Sequence, residues 1–186
     1  MSVSDEQLDA FIQNQALVAI RRDEIDTRCI QGVPLQFSDQ LIRLQYVYDF
    51  HIDGQLIVRR EDITDMLCRS TDRFQRRLLM DNGLFRQIDF NAPIELTSWS
   101  TMLSQLHGTP IVILEQECLS DSQFWMGRLL DVTSRTIRLH EFTGAGRWLD
   151  HPTDIPIEAV TCCQRHTNYI KFYADYFDSR ADHSAG

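Results

Sequence analysis

The sequence predicts a mainly β protein with flanking α-helices, organised as two tandem small β-barrel modules related by internal duplication. Three observations carry this. Apolar and polar residues alternate at the two-residue period of a half-buried strand in two separate stretches, 28–68 and 111–166. A core segment of one stretch aligns with the other without a gap. An aromatic-bearing segment of helical period follows each copy.

The alignment sets GVPLQFSDQLIRL, from Gly32 to Leu44, against GRLLDVTSRTIRL, from Gly127 to Leu139. Five of thirteen positions are identical, where average composition gives about one. Gly32 matches Gly127, Leu35 matches Leu130, and Ile42-Arg43-Leu44 matches Ile137-Arg138-Leu139. The turns Ser38-Asp39 and Thr133-Ser134 also fall in register. β patterning alone brings any two hairpins to a common period, but it does not supply a shared glycine, a shared Ile-Arg-Leu and the same following helix. The shared glycine is expected to permit a bulge or sharp bend, and a long, bent second strand is how a small five-stranded barrel closes. Each module, 32–74 and 127–172, therefore reads as a strongly bent SH3-like or Sm-like barrel, and the domain boundary falls near 90, giving units 1–90 and 91–186.

Taken in order, Ser4 caps a helix over 5–14 with Asp5 and Glu6 in its first turn, where they complement the helix dipole. Residues 16–20 suit a strand. Val33, Leu35 and Phe37 alternate, Ser38-Asp39 turns the chain, and Ile42 and Leu44 resume with Arg43 on the opposite face. Asp53-Gly54 is a strong hairpin signal, and 56–59 and 63–68 complete the set. Ser70 or Thr71 caps a helix carrying Phe74, Leu78 and Leu79, stopped by Asn82-Gly83. A connector with Pro93 leads to a short helix from Thr97 or Ser98, ended by Gly108 and Pro110. The second set takes 111–114, 124–132, 136–142 and 159–166. Asn168 caps a final Tyr-rich helix, and 178–186 is expected to fray.

The 186 residues carry a net charge of −9, shared almost evenly between the halves. An acidic chain is repelled by nucleic acid and anionic membranes at long range, so nucleic acid is not an expected partner and a membrane is not an expected location. The first residues lack the basic start and apolar run of a secretory signal, and no apolar run approaches the ~20 residues of a membrane span. The five cysteines, an odd number without framework spacing, read as reduced thiols. The expected location is the cytoplasm.

The sequence offers little catalytic chemistry. Cys162, Cys163 and His166 are close, but zinc wants paired units such as Cys-x-x-Cys, and adjacent strand cysteines point to opposite faces. Cys163 and His166, three apart, also diverge on a strand, so a Cys–His nucleophile of a hydrolase-type enzyme is an alternative only. No phosphate-binding glycine motif is present. Glu115 and Glu117 share a strand face but are expected at a solvated edge. No cofactor, metal or catalytic residue is predicted. Two surface features remain. Arg147, Trp148 and His151 lie in a loop beside the second barrel and form a candidate interaction loop, with a folded-back Trp148 as the plainer expectation. Arg59, Arg60, Arg73 and Arg77 form a candidate anion patch in an arginine-rich stretch whose acidic neighbours neutralise much of it.

The segments YDFHIDGQLIVRREDIT and RFQRRLLMDNGL, followed by GRLLDVTSRTIRL and GRWLDHPTDIP, resemble a group of uncharacterised bacterial proteins with tandem SH3-like/Sm-like modules. That resemblance covers most of the chain and implies no activity. The Sm pattern places an Asn after the first hairpin turn and an Arg-Gly pair late in the motif for RNA. Here position 137 is Ile and the late strand reads AVTCCQRH, so RNA binding is not carried over. The expected function is a non-catalytic protein-interaction or regulatory module. A homodimer formed through exposed barrel edges is a further expectation, and nucleic-acid binding through the first module's arginines is the alternative.

Overall fold

The computed structural model describes residues 3–109 and 111–184, the last four by backbone only. Pro110 and the final two residues of the expected frayed tail lie outside the described residues. Helix α1, Asp5–Gln13, starts at Ser4, whose side chain accepts the Gln7 N–H. Strands β1 (Val18–Arg22), β2 (Asp26–Phe37), β3 (Leu41–Tyr48), β4 (His51–Arg59) and β5 (Asp65–Leu67) follow. Helices α2 (Ser70–Asp81) and α3 (Trp99–Ser104) flank the connector. Strands β6 (Val112–Gln116), β7 (Gln123–Val132), β8 (Thr136–Glu141), β9 (Thr153–Pro156) and β10 (Cys162–Arg165) precede α4, Asn168–Ser184. Most of the tail expected to fray is thus the last turns of α4.

The ten strands form one antiparallel sheet in the order β5-β1-β2-β3-β4-β10-β6-β7-β8-β9. The first five strands run β5-β1-β2-β3-β4, and the next five repeat that order as β10-β6-β7-β8-β9. The sheet is open, so the closed barrels read from the sequence are not formed. β4 does not pair with β5, nor β9 with β10, and β4 pairs instead with β10, through Val58↔Cys162, Ile57↔Cys163, Leu56↔Gln164 and Gln55↔Arg165.

The shared glycines have a different use from the one expected. A Cβ on Gly32 would lie 2.7 Å from the Gln45 carbonyl oxygen, and one on Gly127 would collide with the His140 carbonyl. They permit close backbone approach. The bulge itself falls three residues later in both halves: β2 skips Leu35 between Pro34↔Leu44 and Gln36↔Arg43, and β7 skips Leu130 between Leu129↔Leu139 and Asp131↔Arg138. The extra residue turns Phe37 into a different core cluster from Val33 and Leu35.

Three local expectations are corrected. The β3–β4 hairpin turns at Asp49 and Phe50, both at positive φ (45° and 62°), as a tight two-residue turn requires. Asp53-Gly54 lies inside β4, where Asp53 Oδ1 accepts the Asn168 N–H at 2.6 Å and Gly54, at φ 71°, lets the Arg165–Thr167 backbone cross. The N-cap of α2 is Arg69, whose N–H is bonded by the Asp72 carboxylate. Thr153–Pro156, which fall between the strands read from the sequence at 136–142 and 159–166, form β9.

Four clusters make up the core. One places α3, through Met102 and Leu103, and the turn after it, through Leu106, on β4, β6, β8 and β10. A second gathers α1 and β1–β4 around Leu8, Ile20, Leu44 and Val58. A third packs Leu79 of α2 and Phe85 against Val33 and Leu35. The fourth seats α4, through Ile170, on Ile113, Met126 and Phe142. Cys163 belongs to the first cluster and Cys162 to the second, so the two thiols lie on opposite faces as the strand period requires.

Candidate functional site

Two features stand out on this frame. The first is a cleft of about 490 Å³ where the first five strands meet the second five, lined by Arg22, Asp26, Arg28, Tyr46, Glu115, Glu117 and Gln164 among others. Glu115 and Glu117 share a strand face, as expected, but they line this cleft rather than a solvated edge. Glu117 is buried and clamped bidentately by Arg22, with Nη1–Oε2 and Nη2–Oε1 both 2.5 Å. The Thr161 hydroxyl lies 2.9 Å from Glu117 Oε2 and 3.1 Å from the Glu115 carbonyl, and it accepts the Glu117 N–H. Burial alone would lower the Arg22 pKa, but the Glu117 hydrogen bonds and nearby acids raise it above the ordinary value.

Around this pair the carboxylates differ. Burial would raise Asp26, but Arg28 at the cleft mouth donates to the Asp26 carboxylate from both its side chain and its own backbone N–H and holds it below the ordinary range. Burial raises Glu115, and the 2.6 Å bond from Gln164 Nε2 only partly offsets this. Burial also raises the Tyr46 phenol and the Cys162 thiol. The cleft is thus an ion-paired joint between the halves, with one carboxyl, Glu115, short of a cation.

The second feature is an aromatic wall. Phe172, Tyr173 and Tyr176 project from α4 beside the loop of Gly144 and Gly146, bounding an open hollow of about 320 Å³, and Tyr169 packs edge-on against Tyr173 next to it. Phe172 is 77% exposed and Tyr169 50%. The loop is fixed to the helix: the Tyr173 hydroxyl donates to the Gly144 carbonyl at 2.8 Å, and Tyr176 packs so closely that a Cβ on Gly146 would lie 2.7 Å from its ring. Gly146 also sits at φ 67°, so glycine is demanded twice over. Arg180 stacks on Tyr176 with its guanidinium carbon 4.5 Å from the ring centre.

The predicted interaction loop lies next to this wall. Trp148 is folded back, edge-on to Phe142 and against Phe177, with Arg128 stacked on its other side at 4.8 Å. Arg147 and His151 are exposed. The loop therefore buttresses the wall more than it presents Trp148. The predicted anion patch is divided among local partners. Arg59 pairs with Asp62 at 2.9 Å, Arg60 with Asp5 at 2.5 Å, and Arg73 bonds the Cys68 carbonyl. Arg77 is exposed on α2. Cys163 is fully enclosed, and burial pushes its thiol up to about 12, while His166 is exposed at φ 56°; the structure does not bring them into a nucleophile pair. Among the described residues no group of His, Cys, Asp and Glu is arranged to hold a metal, and no helix is long and apolar enough to cross a membrane.

Sequence reasoning missed the aromatic hollow because its parts, a two-glycine loop and a tyrosine-rich helix, are nearly thirty residues apart. The helical spacing of Tyr169, Phe172, Tyr173 and Tyr176 was the available signal. No family model, curated protein or solved structure matches the chain.

Proposed function

We propose that the chain is a non-catalytic protein-interaction module built from two tandem five-stranded units related by duplication, and that α4 and the Gly144–Gly146 loop take a basic segment of a partner protein. The duplication reading is supported by the repeated strand order, the paired glycines and the bulges at Leu35 and Leu130. The docking reading rests on one observation, the exposed Phe172 beside a loop already fixed in place. A monomer seldom leaves contiguous aromatic surface open without a use, and a pre-ordered wall spends little entropy on binding.

The chemistry of the partner follows from the rings and the charge. Aromatic faces attract cations, and Tyr176 and Trp148 already hold two of the chain's own guanidiniums. The chain carries −9, and Asp175 and Asp178 are exposed on α4. A segment with an apolar anchor flanked by Lys or Arg suits both. The sheet edges suit a partner strand less well. Pro156 in β9 supplies no N–H, and Gln7 of α1 already donates to the Met66 carbonyl of β5.

The test places a photo-crosslinking amino acid at Phe172 and, as a control, at Phe74, which is 56% exposed on α2. The reading predicts one defined adduct from position 172 and none from 74. It further predicts that the crosslinked segment, as a synthetic peptide, is basic and binds the intact protein. Phe172→Asp then weakens the peptide by about tenfold or more, and added salt weakens it too. Equal labelling from both positions, or a peptide indifferent to Phe172→Asp, overturns the reading.

A further inference from the structure

On the face of the sheet away from the cleft, two rows of side chains cross three strands. Arg43, Ile57 and Cys163 form one row, and Gln45, Gln55 and Arg165 the next. The rows lie on one face because directly paired residues, and residues two apart, share it. Arg43 is 2% exposed. Its Nη1 donates to the Ala92 carbonyl at 2.6 Å, but its Nε is buried without a partner, as are Arg165 Nε and Gln55 Oε1. Among the described residues neither guanidinium has a carboxylate within ion-pair distance, whereas Arg22, equally buried, is neutralised by Glu117. Burial first, and then Arg165, depresses Arg43, with Asp89 offsetting this only in part.

A buried charge left unpaired costs several kcal/mol after all relaxation, and a native fold accounts for nearly all such groups. We infer that Arg43 and Arg165 form a binding site for a small oxyanion, a phosphate or a carboxylate. An oxyanion between them gives both Nε–H groups an acceptor and matches the planar fork of a guanidinium. It reaches the site past Arg165, which is only partly buried, beside the exposed His166. Gln55 can turn its amide over to donate to the same ion, since oxygen and nitrogen exchange places at no steric cost.

The site is separate from the aromatic wall, so its test does not depend on the docking reading. Thermal unfolding of the full chain is followed against inorganic phosphate and, in a second arm, acetate, with chloride at matched ionic strength as the reference. The inference predicts a saturable rise in Tm with at least one oxyanion. The rise is lost in Arg165→Met and kept in Arg138→Met. Arg165→Met also melts higher than the unsubstituted chain in chloride, because an unpaired, partly buried charge beside Arg43 is gone. The phosphate and acetate arms decide which oxyanion the site prefers. Phosphorus NMR of the unsubstituted protein reads phosphate binding directly, and an acetate titration by calorimetry does the same for carboxylate, so the result stands even if a variant misfolds. Equal shifts in Arg165→Met and the unsubstituted chain, or no saturable response to either ion, overturn the inference.

Discussion

Strands β4 and β9 hold the same place in their halves of the sheet and have opposite fates. β4 has nine residues, is buried through Leu56, Ile57 and Val58, and takes β10 along its free side. β9 has four residues, includes Pro156, and ends the sheet. Arg43 and Arg138, aligned with each other in the sequence, diverge in the same way. Arg43 is buried under the connector, and Arg138 is 57% exposed and pairs with Asp154 at 3.1 Å. The strand order is common to the halves, and burial decides what each shared residue does. One half's edge is used up in making the joint, and the other's is blunted against further pairing.

The joint is where the comparison breaks most sharply. Arg22 comes from β1 and Glu117 from the end of β6, so their bidentate pair bridges the halves. Arg22→Met removes the bidentate partner of a buried carboxylate, leaving it only the looser contact with Arg28 at 3.7 Å, and is expected to cost about 3–5 kcal/mol. The double variant Arg22→Met/Glu117→Leu is expected to recover most of that, because the loss comes from an uncompensated charge. Urea unfolding of the two singles and the double, read as a cycle, checks it. A double variant no better than either single would show that the pair itself, not charge balance, holds the halves.

The glycines give the next largest effect and a ranking. Gly127→Ala drives a methyl into the His140 backbone, and Gly32→Ala meets the Gln45 carbonyl less severely. Overpacking of this kind costs about 1–3 kcal/mol, with Gly127 toward the upper end. Denaturation midpoints should therefore fall further for Gly127→Ala than for Gly32→Ala. Equal losses would mean that the two close approaches are alike in solution.

These glycines also mark how far the sequence could be read. Their spacing from the Ile-Arg-Leu segments aligned the two stretches that share a strand order, and alternation located most strands, because both signals are local. The joint was not legible. Pairing β4 with β10 joins residues about a hundred positions apart, and nothing local in His51–Arg59 announces a strand that is paired on both sides. Glu115 and Glu117 looked like edge guards for the same reason: only the arrival of β1 and β10 turns that edge into an interior. Asp53-Gly54 misled because its turn chemistry serves the start of α4.

Arg138→Ala sits at the small end. The pair with Asp154 is more than half exposed on both sides, and such pairs contribute about 0.2–1 kcal/mol, screened by salt. The expected change in a chemical melt is at most that, and it vanishes at high ionic strength. A larger, salt-insensitive loss would place Arg138 in the role that Arg43 has in the first half.

The subtlest contrast lies inside the cleft, where each half contributes a carboxyl that titrates in the opposite sense. Glu115, from the second half, is raised in the folded state by burial. Folded protein therefore holds that proton more tightly than unfolded chain, and the stability it contributes falls as pH rises from the ordinary carboxylate value through the folded one. Asp26, from the first half, is lowered by Arg28 after burial is overcome. Its contribution is complete above the ordinary value and is lost as pH falls through the folded one. Glu115→Gln should thus gain stability relative to the unsubstituted chain as pH rises across the acid range, whereas Asp26→Asn should lose it over the same rise. Melting curves of the three proteins across that range separate the two, since a general effect of acid would move both variants together. Parallel curves would mean that Arg28, exposed at the mouth, swings from Asp26 to Glu115 and levels the two carboxyls in solution.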